Sequence, residues 1–431
     1  MRIGYPCIPL CIDAKTTRSL KLKNFSEEKF LSLAKENLMD LGKILKYNND
    51  NNIKLFRISS DIIPLGSHPT NNINWIHIFK KELKNLGNYI KKENLRVSMH
   101  PGQYTVLNSN SSDVVKKAIK DLEYHTNFLD SLNLNYENKI ILHLGGVYNN
   151  KSEAIKNFIT NFKYLSESTK KRLVIENDER NYNIEDVLEV SKILKIPVIF
   201  DNLHHFFNNT SSLSLEEILN LVNLTWTTKD GPMKVHYSNS DPYKKNGAHS
   251  KFIYTKNFME FYKILKNLNL DIDIMLEVKD KDISCLKVLD LIKTIENKNN
   301  PKNTSLIQNY IDKYKFEIME RNFNFYNNFF LDINNFSNLL DFLSVLDKEL
   351  IKKINKQDFL QTLIFLKGLF KNKLTSREEL QFKKYFNELH DKSDTKFLSN
   401  DPLCSRIKNY IYKLSKKYDI CIIKNSYYFY H

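Results

Sequence analysis

The chain has 431 residues, of which 42% are hydrophobic and 12% aromatic, and this composition excludes an intrinsically disordered protein. Lys and Arg number 65 against 50 Asp and Glu, so the formal net charge is +15. This charge favours a polyanionic partner such as nucleic acid, unless it reflects only a coding sequence rich in A and T.

The five cysteines form no CxxC pair and are too scattered for a disulfide framework, which indicates a reducing cytoplasm. The N-terminal segment lacks the apolar stretch and cleavage site of a signal peptide. No run reaches the ~18 apolar residues of a membrane helix. We therefore expect a cytoplasmic protein with no membrane partner.

Short apolar runs alternate with longer segments of helical periodicity as far as about residue 300. The apolar runs predict strands at 2–7, 54–59, 96–99, 139–144, 172–175, 197–200, 233–237 and 273–278. The segments between them predict helices at 27–47, 75–92, 113–132, 151–165, 184–194, 215–222, 256–268 and 284–296. Eight such units predict an α/β fold, a (β/α)8 TIM barrel. A doubly wound open sheet has the same local pattern, but no glycine-rich phosphate loop follows the first strand, so we expect no nucleotide cofactor.

The composition changes after residue 296, where the polar segment NKNNPKNTS predicts a linker. Beyond it, helical periodicity recurs at 306–325, 336–351, 356–370, 376–390 and 403–417. We predict two domains, a barrel at 1–298 and a small all-α domain at 299–431. The second domain has no motif of recognisable chemistry and is either an accessory grip on nucleic acid or a packed appendage.

Side chains that bind metals lie at or just after the ends of seven consecutive predicted strands. Because the carboxyl ends of parallel barrel strands meet at one rim, these side chains are expected to converge there. They are His68, His100, His143, Glu176, Asp201, His204, His236, His249 and Glu277. Any one of them could be an ordinary hydrogen-bonded residue, but nine in the same context are poorly explained in that way. His77, His125 and His390 lie in helical segments, and we assign them no role in the site.

Carboxylate oxygens with neutral imidazole nitrogens suit Zn²⁺ or Mn²⁺, and the lack of thiolates disfavours a structural zinc site. Nine ligands exceed the need of one ion, so we expect two or three divalent ions that share carboxylates. Such ions suit phosphodiester cleavage, because one lowers the pKa of a water and the others neutralise charge on the phosphate.

Lys234 lies two residues before His236 and therefore faces the same side of its strand. Close to several cations its ammonium group would lose its proton. It then either becomes carboxylated and acts as a ligand, or pairs with the phosphate. The remaining alternative is an ordinary ion pair with a nearby Asp or Glu.

The segment SMHPGQY at 98–104 places Gln103 and Tyr104 directly after a Pro-Gly turn. Such a turn forms a stiff loop tip. There, a tyrosine can stack on bases and a glutamine can hydrogen-bond to base edges, as a probe of a nucleic acid does. Alternatively, the tyrosine packs on the rim of the barrel.

Eight segments together resemble the UV damage endonuclease family, which comprises TIM barrels related to endonuclease IV and xylose isomerase. They are GYPC at 4–7, FRISSDIIPLGSH at 56–68, SMHPGQY at 98–104, LHLGG at 142–146, IENDER at 175–180, FDNLHH at 200–205, KVHYS at 234–238 and GAHS at 247–250. The resemblance spans residues 1–280. It implies a monomeric, ATP-independent, metal-dependent endonuclease of the nucleoid. Such enzymes nick double-stranded DNA 5′ of cyclobutane pyrimidine dimers or 6-4 photoproducts and can accept abasic sites.

The resemblance also implies roles for particular residues. It makes the nine residues named above metal ligands, most often for manganese, with Zn²⁺ or Mg²⁺ as alternatives. It implies a carboxylated Lys234, which with Glu176 and Glu277 we predict to be catalytic. Gln103 and Tyr104 become the pair that probes the bases opposite the lesion, and Tyr5 a lesion contact. The family usually has an asparagine where this chain has Pro9, so a polar contact near the lesion is expected to be lost.

Three alternatives differ in substrate or activity. A sugar isomerase on the related barrel also uses His, Glu and Asp, but it depends more on carboxylates and has no need of a basic chain. A non-catalytic lesion-binding protein has no need of clustered cations. A general abasic-site endonuclease differs only in the range of its substrates.

Overall fold

The computed structural model describes residues 1–297, 303–393 and 401–430. Its parallel strands form a closed barrel in chain order, and β8 pairs with β1 to complete it. The strands are β1 (Ile3–Pro6), β2 (Leu55–Ile58), β3 (Arg96–Met99), β4 (Ile140–His143), β5 (Leu173–Glu176), β6 (Val198–Asp201), β7 (Met233–Tyr237) and β8 (Ile272–Leu276). The predicted TIM barrel is confirmed, and the closed order excludes an open doubly wound sheet.

Helices follow the strands around the outside of the barrel. They are α1 (Glu27–Asp50), α2 (Trp75–Ile78), α3 (Lys80–Lys92), α4 (Ser112–Ser131), α5 (Lys151–Phe162), α6 (Glu167–Arg172), α7 (Ile184–Leu194), α8 (Asn202–Phe207), α9 (Leu215–Asn223), α10 (Thr255–Asn267) and α11 (Asp282–Glu296). Most begin at a polar cap, such as Ser26, whose side chain accepts a hydrogen bond from the Lys29 amide. The helix predicted at 75–92 is divided at Phe79, whose backbone leaves the helical region. Helices α6 and α8 were not predicted, because six residues are too few to show a periodicity.

The chain forms two compact units, Met1–Ile253 with Phe258–Lys287 and Tyr254–Asn257 with Val288–His431. The division at Lys287 falls inside α11. The predicted domain boundary at 298/299 and most of the predicted linker lie outside the described residues. None of the helices in the described residues is both long and apolar enough to cross a membrane.

The second unit is helical, as predicted for the C-terminal region. Its helices are α12 (Thr304–Met319), α13 (Phe323–Phe325), α14 (Leu339–Ile351), α15 (Lys356–Gly368), α16 (Ser376–His390), α17 (Pro402–Lys417) and α18 (Cys421–Lys424). Its core is aromatic and aliphatic, with fully buried Phe316, Phe342 and Phe359. This burial explains the spacing of apolar residues by three and four in the sequence.

The strand register places every second residue inside the barrel, in layers. Gly4 pairs with Leu55 and with Met275 in one such layer. A β-carbon at Gly4 would lie 1.9 Å from the Leu55 carbonyl oxygen, so β1 and β2 approach too closely there for a side chain. Residues two positions further along each strand form the next layer, at the carboxyl ends of the strands.

Candidate active site

The layer at the carboxyl ends of the strands is polar. The register pairs His143 with Glu176 and Asp201 with His236, so the paired side chains point to the same side of the sheet. Further residues of the rim come from β2, from the end of β3 and from the residue after β8. These are Arg57, His100 and Glu277. The barrel thus brings together side chains that lie up to 220 residues apart in the chain.

Glu176 is the central residue of this layer and is 1% exposed. Its Oε1 lies 2.6 Å from His236 Nδ1, and its Oε2 lies 3.3 Å from His100 Nε2 and 3.5 Å from His143 Nε2. Two groups of potential ligands share it, with ligand atoms within 4.8 Å of one another. The groups are His100, His143 and Glu176, and Glu176, Asp201 and His236. This arrangement is consistent with divalent ions that share a carboxylate.

Several buried atoms in this layer have no hydrogen-bond partner among the described residues. They are Asp201 Oδ2, His236 Nε2 and His143 Nδ1. An unsatisfied buried polar atom costs about 1–3 kcal/mol. A divalent cation accepts electron pairs from carboxylate oxygens and neutral imidazole nitrogens, so it would remove this cost. The residues present therefore fit a divalent metal.

Backbone carbonyls orient three of the histidines. A carbonyl oxygen only accepts hydrogen bonds, so the Nδ1 atom that contacts it carries the hydrogen and leaves the Nε2 lone pair free for a metal. The pairs are His100 with Pro101 (3.0 Å), His204 with Asn177 (2.9 Å) and His249 with Glu277 (2.5 Å). The rings of His204 and His249 lie 6.2 Å apart, outside the two groups but on the same rim.

Burial and the nearby carboxylates shift the pKa values of this layer in opposite directions. Burial lowers the pKa of His143 to about 4, so its ring is neutral at pH 7. Burial also lowers the pKa of His204, but the carboxylates of Asp201 and Glu176 outweigh this effect and raise it to about 9. Burial raises the pKa of Asp201. The carboxylates thus hold a proton on His204 in the absence of a metal, and a cation bound at its Nε2 would displace that proton.

Arg57 is a rim residue that the sequence reasoning missed. Its guanidinium donates a hydrogen bond to Glu277 Oε1. Burial opposes ionisation of Glu277, but the Arg57 charge outweighs it and holds the pKa of Glu277 well below its usual range. The signal available in the sequence was a charged arginine within the apolar run of β2. The register shows that this arginine points into the barrel.

His68 lies outside both groups of potential ligands. Its Nδ1 accepts a hydrogen bond from the Thr70 amide at 3.1 Å, so a neutral ring carries its hydrogen on Nε2. With Arg57, His100 and Glu277 it lines a cavity of about 750 Å³ on the rim. To bind a metal through Nε2, His68 would give up the hydrogen bond from the Thr70 amide, because its hydrogen would then lie on Nδ1.

Lys234 lies inside the barrel below His236, fully buried. Its Nζ has no hydrogen-bond partner among the described residues. Asp273, with which it pairs in the strand register, forms an ion pair with Arg96 at 2.9 Å instead. Burial lowers the pKa of Lys234 well below its usual value, and the charge of Arg96 lowers it further. The ordinary ion pair considered from the sequence is therefore not formed in the described residues.

Gln103 and Tyr104 lie at the tip of an exposed loop, residues 101–105, which we call the recognition loop. Tyr104 is 84% exposed and does not pack on the rim. Residues of this loop line both the cavity of about 750 Å³ and a second cavity of about 670 Å³. Both cavities are lined by His100, so the loop stands beside the candidate metal ligands.

Tyr5 does not lie on the rim. Its side chain is fully buried, and its hydroxyl donates a hydrogen bond to Asn48 Oδ1 of α1 at 2.7 Å. Gly4 faces the barrel interior, so its neighbour Tyr5 faces the surrounding helices. The expected contact between Tyr5 and a lesion does not fit this geometry. Pro9, in the loop after β1, is also buried.

Comparisons with known proteins agree with this architecture. The family model described as UV-endonuclease UvdE matches residues 1–310. A UV DNA damage endonuclease of Clostridium perfringens is 50% identical over 390 residues, which cover 90% of this chain and 92% of that protein. A UV DNA damage endonuclease of Bacillus cereus is 34% identical over 303 residues, which cover 68% of this chain and 95% of that protein.

A solved structure resembles the chain over the barrel. The crystal structure of SacUVDE is 42% identical in sequence and superposes with a TM-score of 0.65. The superposition covers 69% of this chain and 99% of SacUVDE. With a family model that covers residues 1–310 and relatives aligned over more than nine tenths of their own length, this chain belongs to the UV-endonuclease UvdE family, a family of nucleic-acid hydrolases.

Proposed function

We propose that this chain is an ATP-independent DNA repair endonuclease that cuts the phosphodiester immediately 5′ of a UV photoproduct. Cyclobutane pyrimidine dimers and 6-4 photoproducts are the proposed lesions. One observation carries the proposal: two groups of metal-type ligands that share Glu176 lie directly beside an exposed loop with Tyr104 at its tip. This neighbourhood supports a role of the ligand groups in hydrolysis and of the loop in contact with the duplex.

The cut requires divalent cations in this proposal, two or three in number, with manganese as the preferred ion. The residues that would hold them are His68, His100, His143, Glu176, Asp201, His204, His236, His249 and Glu277. When bound, such ions lower the pKa of a water and neutralise charge on the phosphate. The unpartnered buried ligand atoms support binding of cations at this rim.

The side chains of the rim hold the cations in this proposal. Glu176 and Glu277 contribute the negative charge that keeps cations in place, and Arg57 keeps Glu277 ionised and oriented. Lys234 lies in the layer below, without a partner for its Nζ among the described residues. We propose that it is carboxylated and adds an anionic ligand from beneath. The alternative is a contact between its amine and the phosphate.

The recognition loop selects the lesion in this proposal. Tyr104 stacks in the duplex where the damaged dinucleotide leaves the helix, and Gln103 hydrogen-bonds to the bases left behind. Unstacking costs a few kcal/mol and is cheapest where a lesion has already distorted the duplex, so insertion of the loop discriminates damage. The cavities beside the loop give the extruded nucleotides a place on the rim.

Metal-stripped protein, incubated with an end-labelled duplex that bears one defined photodimer, tests the proposal. Each divalent ion is added back in turn. We expect a single nick at the phosphodiester 5′ of the dimer, fastest with Mn²⁺, and no dependence on ATP. The same duplex without damage, and one with an abasic site at that position, are the controls. Cleavage of the abasic duplex alone would identify a general abasic-site endonuclease, and an intact dimer duplex with every ion would contradict the proposal.

A further inference from the structure

The recognition loop is attached to one buried turn of helix α4. Asp121, Tyr124 and His125 are spaced by three and four residues and so lie on one face of that helix. His125 is 1% exposed, and the Tyr124 hydroxyl donates a hydrogen bond to the Ser60 carbonyl at 2.8 Å. This face of α4 is therefore packed beneath the rim rather than exposed to solvent.

The end of the loop is held by Asp121. Thr105 Oγ1 donates a hydrogen bond to Asp121 Oδ2 at 2.6 Å, and Thr105 itself is buried, with 7% of its surface exposed. The Thr105 amide donates to the Gly102 carbonyl at 3.0 Å and closes the turn at the loop tip. A carboxylate acceptor makes the first of these bonds a strong, charge-assisted one.

The start of the loop is held by Ser60, which is bonded to Tyr124 of α4 and contacts His125 of the same turn. The Ser60 hydroxyl donates to the carbonyl of His100, the residue before the loop, at 2.7 Å. The Ser60 carbonyl accepts a hydrogen bond from the Tyr124 hydroxyl at 2.8 Å. The ring of His125, whose Nδ1 donates to the Asp121 carbonyl at 2.6 Å, lies against the Ser60 hydroxyl, with Nε2 2.9 Å from Ser60 Oγ. Both ends of the loop are therefore connected to the same turn of α4.

The loop tip has no comparable support. A β-carbon added at Gly102 would meet no atom within 4 Å, and Tyr104 is 84% exposed. The shape of the tip thus depends on the attachments at its two ends. Because His100 is also a potential metal ligand, the same attachments set the distance between the tip and the candidate metal centre.

We infer that Thr105, Asp121, Ser60 and His125 are positioning residues that preorganise the recognition loop for insertion into a damaged duplex. The inference rests on the proposed role of Tyr104. A loop that is ordered before binding loses little conformational freedom when it inserts, whereas a loosened loop must be ordered by the DNA. Loosening one end is expected to lower discrimination between damaged and undamaged duplex about tenfold.

Thr105→Val tests the inference, with Thr126→Val as its matched control. Thr126 is another buried threonine, whose Oγ1 lies 2.9 Å from Thr169 Oγ1 and contacts no part of the loop. Each variant loses one hydroxyl hydrogen bond, so both should lose thermal stability, and Thr105→Val somewhat more because its partner is a carboxylate. Only Thr105→Val is expected to lower the ratio of dimer binding to undamaged-duplex binding, by about tenfold. Thr105→Ser, which retains the hydroxyl, should restore the ratio.

Two further measurements make the outcome decisive. In DNA-free protein, the amides of residues 102–105 should exchange hydrogen faster in Thr105→Val, and in Ser60→Ala, than in Thr126→Val. In a Tyr104→Ala background, Thr105→Val should no longer change the binding ratio. An equal loss in Thr105→Val and Thr126→Val, or an unchanged loss without Tyr104, would overturn the inference alone. If Tyr104→Ala by itself leaves the ratio unchanged, the proposed role of the loop fails first and the inference falls with it.

Discussion

Replacing Glu176 with glutamine is expected to lower the rate of incision about a thousandfold or more while DNA affinity changes little. Glu176 is shared by both groups of potential ligands, and its oxygens lie 2.6–3.5 Å from three histidines. Glutamine keeps the shape but removes the charge, so the cations proposed for the two groups would lose their shared ligand. We expect the transition state to lose ~4 kcal/mol of stabilisation, which corresponds to a rate lowered about a thousandfold.

Single-turnover incision of a dimer-containing duplex, together with the metal content of the purified protein, measures this effect. Glu167→Gln is the control, because Glu167 lies in α6, before the opposite end of β5, and is 78% exposed in its ion pair with Lys170. The control should retain full activity and metal content. A Glu176→Gln variant that cuts within a few fold of the unaltered protein would show that this layer is not the site of hydrolysis.

Replacing Tyr104 with alanine is expected to lower incision at a dimer by about 10- to 100-fold, because stacking of one base on an aromatic ring contributes ~1–3 kcal/mol. Binding to undamaged duplex should change less than about twofold, since phosphate contacts supply most of that affinity. Comparing the effect of the substitution on damaged and on undamaged duplex shows whether Tyr104 recognises lesions or only contributes to general DNA binding.

Tyr164→Ala is the control for this substitution. Tyr164 is 70% exposed but follows α5, on the side of the barrel where the strands begin. It should affect neither substrate. Equal losses on damaged and undamaged DNA in Tyr104→Ala would assign Tyr104 to general DNA binding and remove its proposed role in recognition.

The barrel and the position of the candidate site could be predicted together, because a closed parallel barrel brings the ends of its strands to one rim. Polar side chains that follow strands, such as Glu176, Asp201 and His236, come together wherever the strands are parallel and closed into a ring. The polar residues at the strand ends were therefore sufficient to predict where the site lies, although no single contact was known. The division of the second predicted helix at Phe79 was beyond the pattern, since the apolar spacing continues across it.

Whether a single side chain points into the barrel or toward the helices could not be predicted in the same way. In a strand of four residues, a one-residue shift exchanges the inward and outward faces, and only pairing with neighbouring strands decides between them. The family resemblance implied a lesion contact for Tyr5, and the register instead turns Tyr5 outward, where it is buried against α1. His125 was assigned no role because a lone histidine in an amphipathic helix resembles a surface residue. Its contact with Ser60 joins residues 65 positions apart.

The central claim is that the carboxyl ends of the barrel strands hold a small cluster of divalent cations around Glu176. Crystals grown with Mn²⁺, with diffraction data collected on both sides of the manganese absorption edge, test it directly. The account predicts two or three anomalous peaks at this rim, with one Glu176 carboxylate oxygen within about 2.5 Å of a peak. Manganese bound elsewhere on the protein, with no peak within coordination distance of Glu176, would contradict it.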